Sequence, residues 1–146
     1  DQINLLVPAE LAGRSAAQVV VKAGGLTSAP LNVTLAAIAP GVFGTLNQDY
    51  SINSANNPAP VGTIVQVFAT GLPAALPATI LARVHDRAAA TPLWAGPAPG
   101  FDGLQQVNVW IPDDLPAMTT DIRVCAYPPE RPSEPICSPP SRITLR

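Results

Sequence analysis

The chain has 146 residues, of which 47% are hydrophobic and only 12% charged, and its formal net charge is −2. A nucleic-acid partner would need a basic face, which this charge does not supply, and no apolar run reaches the roughly 18 to 20 residues of a membrane span. Lys22 is the sole lysine, although lysines commonly protect sheet edges. We therefore expect the sheet edges to be covered, either by the chain's own loops or by a neighbouring molecule.

Three short strands are predicted in the N-terminal part of the chain, at residues 3–7, 17–23 and 30–37. Each is rich in β-branched residues and is bounded by turn residues. Gly24 and Gly25 mark a turn after the second strand. Pro40-Gly41 then interrupts the pattern and indicates a linker or a crossing between sheets.

Residues 42–62 are predicted to be irregular, because their many Asn and Asp side chains bond their own backbone and build turns. A calcium loop from Asn47, Asp49 and Asn53 is conceivable. The bidentate carboxylate that closes an EF-type loop is missing, however. A structured loop is the favoured interpretation.

Further strands are predicted from the same signals at residues 63–70, 79–85, 91–95, 104–111, 120–127 and 141–145. In one of them Val107, Val109 and Ile111 share a face, with Asn108 and Trp110 on the other. No stretch predicts an amphipathic helix. Many short strands separated by Gly and Pro turns predict an all-β, immunoglobulin-like sandwich.

An internal repeat is the most informative feature of the chain. Residues 2–11, QINLLVPAEL, return as residues 106–115, QVNVWIPDDL. The next strands also align after a gap of one residue, since Val19, Val21 and Ala23 match Ile122, Val124 and Ala126, and residues 31–35 resemble 142–145. Repeats fix architecture. We predict an extra three-stranded half-unit at residues 1–39, equivalent to C-terminal strands, and a complete sandwich at residues 40–146.

Three apolar strands cannot close a core by themselves, because an isolated small sheet is marginal in water. Three solutions are open: the chain is a fragment of a longer protein, the strands pack on the second sandwich, or a neighbouring subunit completes them by strand addition. The last is a head-to-tail contact, and such contacts build filaments when they do not close. The candidate assembly edge consists of Ile3, Leu5, Val7, Val19, Val21, Leu31 and Val33.

Two cysteines, Cys125 and Cys137, flank a stiff proline-rich segment. A disulfide across the base of this hairpin fits the spacing, would contribute about 3 kcal/mol and would indicate an oxidising compartment. Two unrelated buried thiols are the alternative. A metal site is less favoured, because the sole histidine, His85, is far away in sequence and no CxxC spacing exists.

Neither paired acids nor histidine predicts catalysis. The chain has no nucleophile elbow, and a lone His85 at a strand end is more typical of a surface or turn residue. Asp113-Asp114 could be paired carboxylates of a glycosidase. Glu10 occupies the equivalent place in the first repeat, which favours a solvated turn. We predict no catalytic residue, no metal and no cofactor.

Three aromatic residues, Trp94, Phe101 and Trp110, lie near one another in sequence. They could form an aromatic platform for sugars. Packing in the core or in an interface is the simpler interpretation.

Four separated blocks carry a family resemblance: QINLLVPAELAG, LTSAPLNVTLAAIAPGVF, LNQDYSINSANNPAPVGTIVQVFATGL and WAGPAPGFDGLQQVNVWIP. With them the chain resembles the immunoglobulin-like C-terminal domain found repeatedly at the ends of large secreted proteins of acidobacteria. The resemblance implies an extracellular β-sandwich module and carries over no catalytic residues. The chain departs from the family in two ways. It begins after the N-terminal strands that normally precede the family's repeat, and its cysteine hairpin is longer and stiffer than the usual Gly-rich turn.

Together these observations predict a non-catalytic structural or assembly module, extracellular or at the cell surface, with a filament subunit as its polymeric form. Its partners would be copies of itself or the rest of a larger secreted chain. The alternative function is a carbohydrate- or surface-binding module of a larger secreted protein.

Overall fold

The computed structural model describes residues 2–73, 79–88, 90–128 and 130–146. The chain divides into two compact units, Asp1–Ala37 and Ile38–Arg146, which we call the N-terminal unit and the C-terminal unit. The observed division falls shortly before the predicted boundary at residues 39 and 40. Apart from a short 3-10 helix at Ala9–Leu11, the regular structure of the described residues consists of β-strands. The predicted all-β fold is confirmed.

The described residues of the C-terminal unit contain eight strands in two antiparallel sheets. They are β5 (Gly41–Leu46), β6 (Ile64–Thr70), β7 (Ile80–Val84), β8 (Trp94–Pro97), β9 (Gln105–Trp110), β10 (Thr119–Ala126), β11 (Ile136–Cys137) and β12 (Ser141–Thr144). One sheet has the order β5-β6-β9-β8. In the other, β10 is central and pairs β7 on one side and β11 and β12 on the other.

The core of the C-terminal unit lies between these two sheets. Val65 and Val67 of β6, Val109 of β9, and Ile122 and Val124 of β10 are among its buried side chains. Because alternate strand residues point to opposite faces, each of these strands contributes every second residue to the core. The predicted inward face of Val107, Val109 and Ile111 is confirmed, since all three are buried.

The predicted strands of the C-terminal unit are present with shifted ends, and two strands, β5 and β11, were missed. The pattern predicted residues 42–62 to be irregular, but β5 occupies Gly41–Leu46. A register shift between Val42 and Gly44 interrupts its pairing with β6, and such a bulge breaks the period-two signal. The strand expected at 91–95 lies instead at Trp94–Pro97.

The N-terminal unit contains four short strands: β1 (Ala16–Val19), β2 (Lys22–Ala23), β3 (Leu26–Thr27) and β4 (Leu31–Thr34). β1 pairs β4, and β2 pairs β3. The turn between β2 and β3 is at Gly24 and Gly25, which have φ angles of 56° and 78°. This left-handed region suits glycine, so the predicted turn is confirmed.

Of the three strand predictions in the N-terminal unit, two were wrong in part and the one at residues 3–7 was wrong. The predicted strand 17–23 is divided between β1 and β2, and 30–37 shortens to β4. Residues 3–7 are not in a strand. Their alternating composition suits a strand, but a strand also needs a hydrogen-bonded partner.

Candidate functional site

The strand pairs of the N-terminal unit have the same register as the matching pairs of the C-terminal unit. Ala17 of β1 pairs Val33 of β4, just as Thr120 of β10 pairs Ile143 of β12. Continuing along the hairpins, Lys22 pairs Thr27, and Cys125 pairs Cys137. Val33 and Ile143 match in the sequence alignment of the two repeats, and Ala17 and Lys22 match Thr120 and Cys125 at the spacing of the aligned Val19, Val21 and Ala23.

Hydrogen bonds outside the strand ladders also correspond. The Ser28 hydroxyl accepts a bond from Val21 N–H at 3.0 Å and donates to the carbonyl of Ala29. In the C-terminal unit, the Ser138 hydroxyl accepts from Val124 N–H at 3.3 Å and donates to the next carbonyl.

The amide side chains of the repeated Gln-x-Asn motif are paired in the same way. Gln2 Nε2 donates to Asn4 Oδ1 at 2.6 Å, and Gln106 Nε2 donates to Asn108 Oδ1 at 2.8 Å. Residues 16–34 thus repeat the local pairing of β10 to β12, and Gln2–Asn4 repeats one side-chain bond of β9.

Burial separates the two segments sharply. Val107, Val109 and Ile111 are 0%, 4% and 0% exposed. Their counterparts Ile3, Leu5 and Val7 are 65%, 62% and 54% exposed. Large apolar side chains at positions that form the core in one unit therefore face solvent in the other.

The physical reason is the strand pairing of β9. It lies between β6, with six paired residues, and β8, with four. Described residues 2–37 contain counterparts of β10, β11 and β12 but no strand that pairs residues 3–7. Without neighbours to bond their backbone, residues 3–7 stay unpaired, which explains the missing strand.

The other residues of the predicted assembly edge lie in the hairpins of the N-terminal unit. Val19 faces Leu31 across the end of the β1–β4 pair, and Val33 faces Ala17. Val19 and Val33 are half-buried, whereas Leu31 is exposed and Val21, between β1 and β2, is partly exposed. We call Ile3, Leu5 and Val7 the open edge.

The predicted disulfide is confirmed: Cys125 of β10 and Cys137 of β11 are bonded. They are direct cross-strand partners, and Cys125 is fully buried. The bridge thus closes the base of the proline-rich hairpin, at the position that Lys22 and Thr27 occupy in the N-terminal unit.

Two of the three predicted ligand aromatics share one face of a sheet. Trp94 pairs Asn108, so Trp94 and Trp110, two residues further along β9, are diagonal neighbours on the outer face. Both are more than a third exposed, which excludes packing in the core and leaves packing in an interface or ligand binding. Phe101 is also exposed but lies in the loop between β8 and β9, away from this pair. The Trp94 ring lies over Gly96. A Cβ atom added to Gly96 would be 2.7 Å from the Trp94 ring.

The Asn-rich loop forms a hydrogen-bonded structure of its own. Asn53 Oδ1 accepts from Thr144 N–H at 2.8 Å, and Asn53 Nδ2 donates to the Thr144 carbonyl at 2.9 Å, which fastens the loop to β12. Asn53 Nδ2 also donates to Asn47 Oδ1 at 2.8 Å. Both amide oxygens already accept protein N–H groups, so the geometry supports a structured loop over a calcium loop.

Hydrogen bonds from Ser51 hold the pKa of Asp49 below its usual value. The Ser51 hydroxyl and backbone N–H both donate to Asp49 Oδ1, and these bonds favour the ionised carboxylate. The Asp49 carboxylate therefore stabilises the turn of the loop through its bonds with Ser51.

His85, Thr120 and Asp86 form a cluster that the sequence did not predict, beside an open depression of about 400 Å³. His85 Nδ1 is 2.9 Å from Thr120 Oγ1, and His85 Nε2 is 3.2 Å from Asp86 Oδ1. The order resembles a nucleophile, a base and an acid. Thr120 is buried, however, and its hydroxyl is already hydrogen-bonded to the His85 ring, an arrangement that fixes the turn after β7.

The adjacent acids Asp113 and Asp114 lie in an exposed turn after β9. Arg87 Nη2 donates to Asp114 Oδ2 at 2.6 Å, so one of the two carboxylates is engaged in a surface ion pair. This geometry supports the predicted solvated turn over a catalytic pair.

Within the described part of the chain, no cluster of three or more His, Cys, Asp or Glu residues could hold a metal ion. No helix in that part is long and apolar enough to cross a membrane. Comparisons with family models, curated proteins and solved structures found no match.

Proposed function

We propose that the chain is a non-catalytic structural module of an extracellular assembly, joined to a neighbouring polypeptide by strand complementation at the open edge. The observation that carries this proposal is the contrast between the exposed Ile3, Leu5 and Val7 and their buried counterparts in β9. Strand addition supplies main-chain hydrogen bonds and covers alternate side chains, which is what residues 3–7 lack. A head-to-tail repetition of this contact would build a filament.

Three further features support an extracellular structural role. The disulfide suits an oxidising compartment. The strand order β5-β6-β9-β8 facing β7-β10 and β11/β12 matches the constant-type immunoglobulin sandwich, as the acidobacterial resemblance implies. Finally, the Thr120 hydroxyl is hydrogen-bonded to His85 and Asp114 is engaged by Arg87, and both arrangements favour structural roles.

The test measures association of the non-reduced chain, using light scattering over a range of concentrations and negative-stain electron microscopy. Exposed apolar strand edges drive association, so wild type should associate with rising concentration, whereas Leu5→Asp, with a charge in the middle of the open edge, should stay monomeric. Leu26→Asp is the matched control, because Leu26 is 78% exposed and belongs to the β2–β3 hairpin rather than to residues 3–7. A wild type that is monomeric throughout, with residues 3–7 protected from amide exchange, would refute the proposal.

A carbohydrate-binding module is the second candidate function. The exposed indoles of Trp94 and Trp110 on one sheet face favour it, because exposed aromatic patches mark binding sites. Trp94→Ala and Trp110→Ala should then each weaken binding to insoluble polysaccharides while circular dichroism stays unchanged. Equal retention of both variants and wild type on those polysaccharides would exclude this function.

A further inference from the structure

We infer that the outer face of the sheet β5-β6-β9-β8 binds a neutral, extended β-glucan of the cellulose type, and that Gly96 positions Trp94 for this contact. The inference rests on the second candidate function, whose ligand it narrows to one chemical class. It follows from three features of this face: its lack of charge, its amide side chains and the placement of the Trp94 ring.

The two sheets of the C-terminal unit differ in charge. No residue of β5, β6, β8 or β9 is charged. The strands of the other sheet, in contrast, carry four exposed charged residues: Arg83, Asp121, Arg123 and Arg142. A face without cations has no group to pair with the carboxylates or sulfates of an acidic polysaccharide. The ligand that matches the face of β5, β6, β9 and β8 is therefore uncharged.

Three amide side chains lie on the outer face of the two central strands of this sheet. Gln66 of β6 pairs Asn108 of β9, and Gln106 precedes Asn108 by two residues on the same face. Gln66 Oε1 is buried and has no hydrogen-bond partner among the described residues, although buried polar atoms are normally bonded. A sugar hydroxyl that donates to this oxygen would satisfy it. Because amides both donate and accept hydrogen bonds, as sugar hydroxyls do, a polyhydroxylated ligand suits this face better than an apolar protein surface.

Two exposed indoles lie beside the amides. Trp94 of β8 pairs Asn108, and Trp110 follows Asn108 by two residues along β9. Diagonal neighbours of this kind lie about 7 to 8 Å apart, so one extended chain can contact both rings. The sugar rings of a cellulose-type glucan have flat faces of C–H groups, because their hydroxyls are equatorial. Such faces stack on aromatic rings, while hydroxyls at the ring edges reach the neighbouring polar groups.

Gly96 allows the Trp94 ring to lie on the sheet surface. Both residues belong to the outer face of β8. A Cβ atom added at Gly96 would be 2.7 and 3.0 Å from two carbons of the Trp94 ring, well inside the roughly 3.5 to 4.0 Å of ordinary carbon contacts. Gly96→Ala should therefore displace the ring without removing it. Gly44, on the opposite edge strand β5, has no atom within 4 Å of an added Cβ, so Gly44→Ala is the matched control.

The experiment is isothermal titration calorimetry of the full, non-reduced chain with three sugar hexamers. They are cellohexaose, its α-linked counterpart maltohexaose, and the β-linked hexamer of glucuronic acid, which carries a carboxylate in place of each hydroxymethyl group. We expect wild type to bind cellohexaose at least about tenfold more tightly than the other two. Gly96→Ala and Trp110→Leu should each weaken cellohexaose binding by about tenfold, whereas Gly44→Ala should bind like wild type. Circular dichroism and thermal unfolding establish that the variants are folded.

The outcomes separate the ligand class from the carbohydrate-binding function. If maltohexaose or the acidic hexamer binds as tightly as cellohexaose, the inferred class is wrong and the second candidate function stands. If folded Gly96→Ala and Gly44→Ala bind cellohexaose equally, the positioning role of Gly96 is wrong. Binding of none of the three hexamers would overturn both the inference and the second candidate function. Loss of self-association in Trp110→Leu would then assign this face to a second copy of the chain.

Discussion

Truncation of the same core position in the two repeats should have unequal effects on stability. Ile111 is fully buried, and Ile111→Ala removes three carbon atoms. Loss of their burial costs about 2.4 kcal/mol, and the cavity left behind adds about 1 kcal/mol. We expect a loss of about 3 to 4 kcal/mol, which lowers the Tm of a domain of this size by about 12 to 16 °C.

The counterpart of Ile111 is Val7, which is 54% exposed. Val7→Ala should therefore change the free energy of unfolding by less than about 0.5 kcal/mol. Scanning calorimetry of the dilute, non-reduced protein is the assay, because it detects unfolding of both units, whereas Trp94 and Trp110 report on the C-terminal unit alone. A loss of 2 kcal/mol or more in Val7→Ala, on the scale of a core truncation, would refute the reasoning, since it would mean that Val7 has a filled core around it.

Three other predictions test the C-terminal unit. Gly71→Ala should destabilise the protein by about 3 kcal/mol or more, because the added Cβ would lie 2.0 Å from the Ala39 carbonyl oxygen. Gly100 has a similar φ but open space around it, so Gly100→Ala should destabilise by only about 1 to 2 kcal/mol. Urea unfolding measures both variants. Loss of the disulfide in the Cys125→Ala/Cys137→Ala double variant should cost about 3 kcal/mol, and an unchanged urea midpoint would contradict this. The pKa of Asp49 is lowered, so its contribution is present above its unfolded pKa of about 3.9 and lost as pH falls through the lower folded value. NMR shifts of the Asn-rich loop should therefore change in acid in wild type but not in Asp49→Ala.

Much of the fold could be predicted because strand signals are local. The alternation of Val107, Val109 and Ile111 defines an inward face, and the Gly24-Gly25 pair defines a turn. The cysteine spacing predicted the disulfide for the same reason, since both residues belong to one hairpin.

The parts that sequence reasoning missed depend on partners far away in the chain. Residues 3–7 have a strand pattern but no strand beside them, and pattern alone does not reveal a missing partner. β5 was missed because a bulge breaks its alternation. The tie from Asn53 to Thr144 spans 91 residues, and the exposure of Trp94 and Trp110 depends on which face of the finished sheet is outermost.

Residue-resolved amide hydrogen exchange of the dilute, non-reduced chain tests the central claim most directly. The claim is that residues 3–7 form an open edge that lacks the strand partners of β9. We expect their amides to exchange close to the rate of an unstructured peptide, while the amides of residues 107–111 exchange only through opening of the C-terminal unit. Comparable protection of both segments in a monomer would contradict the account, because residues 3–7 would then already have their partners.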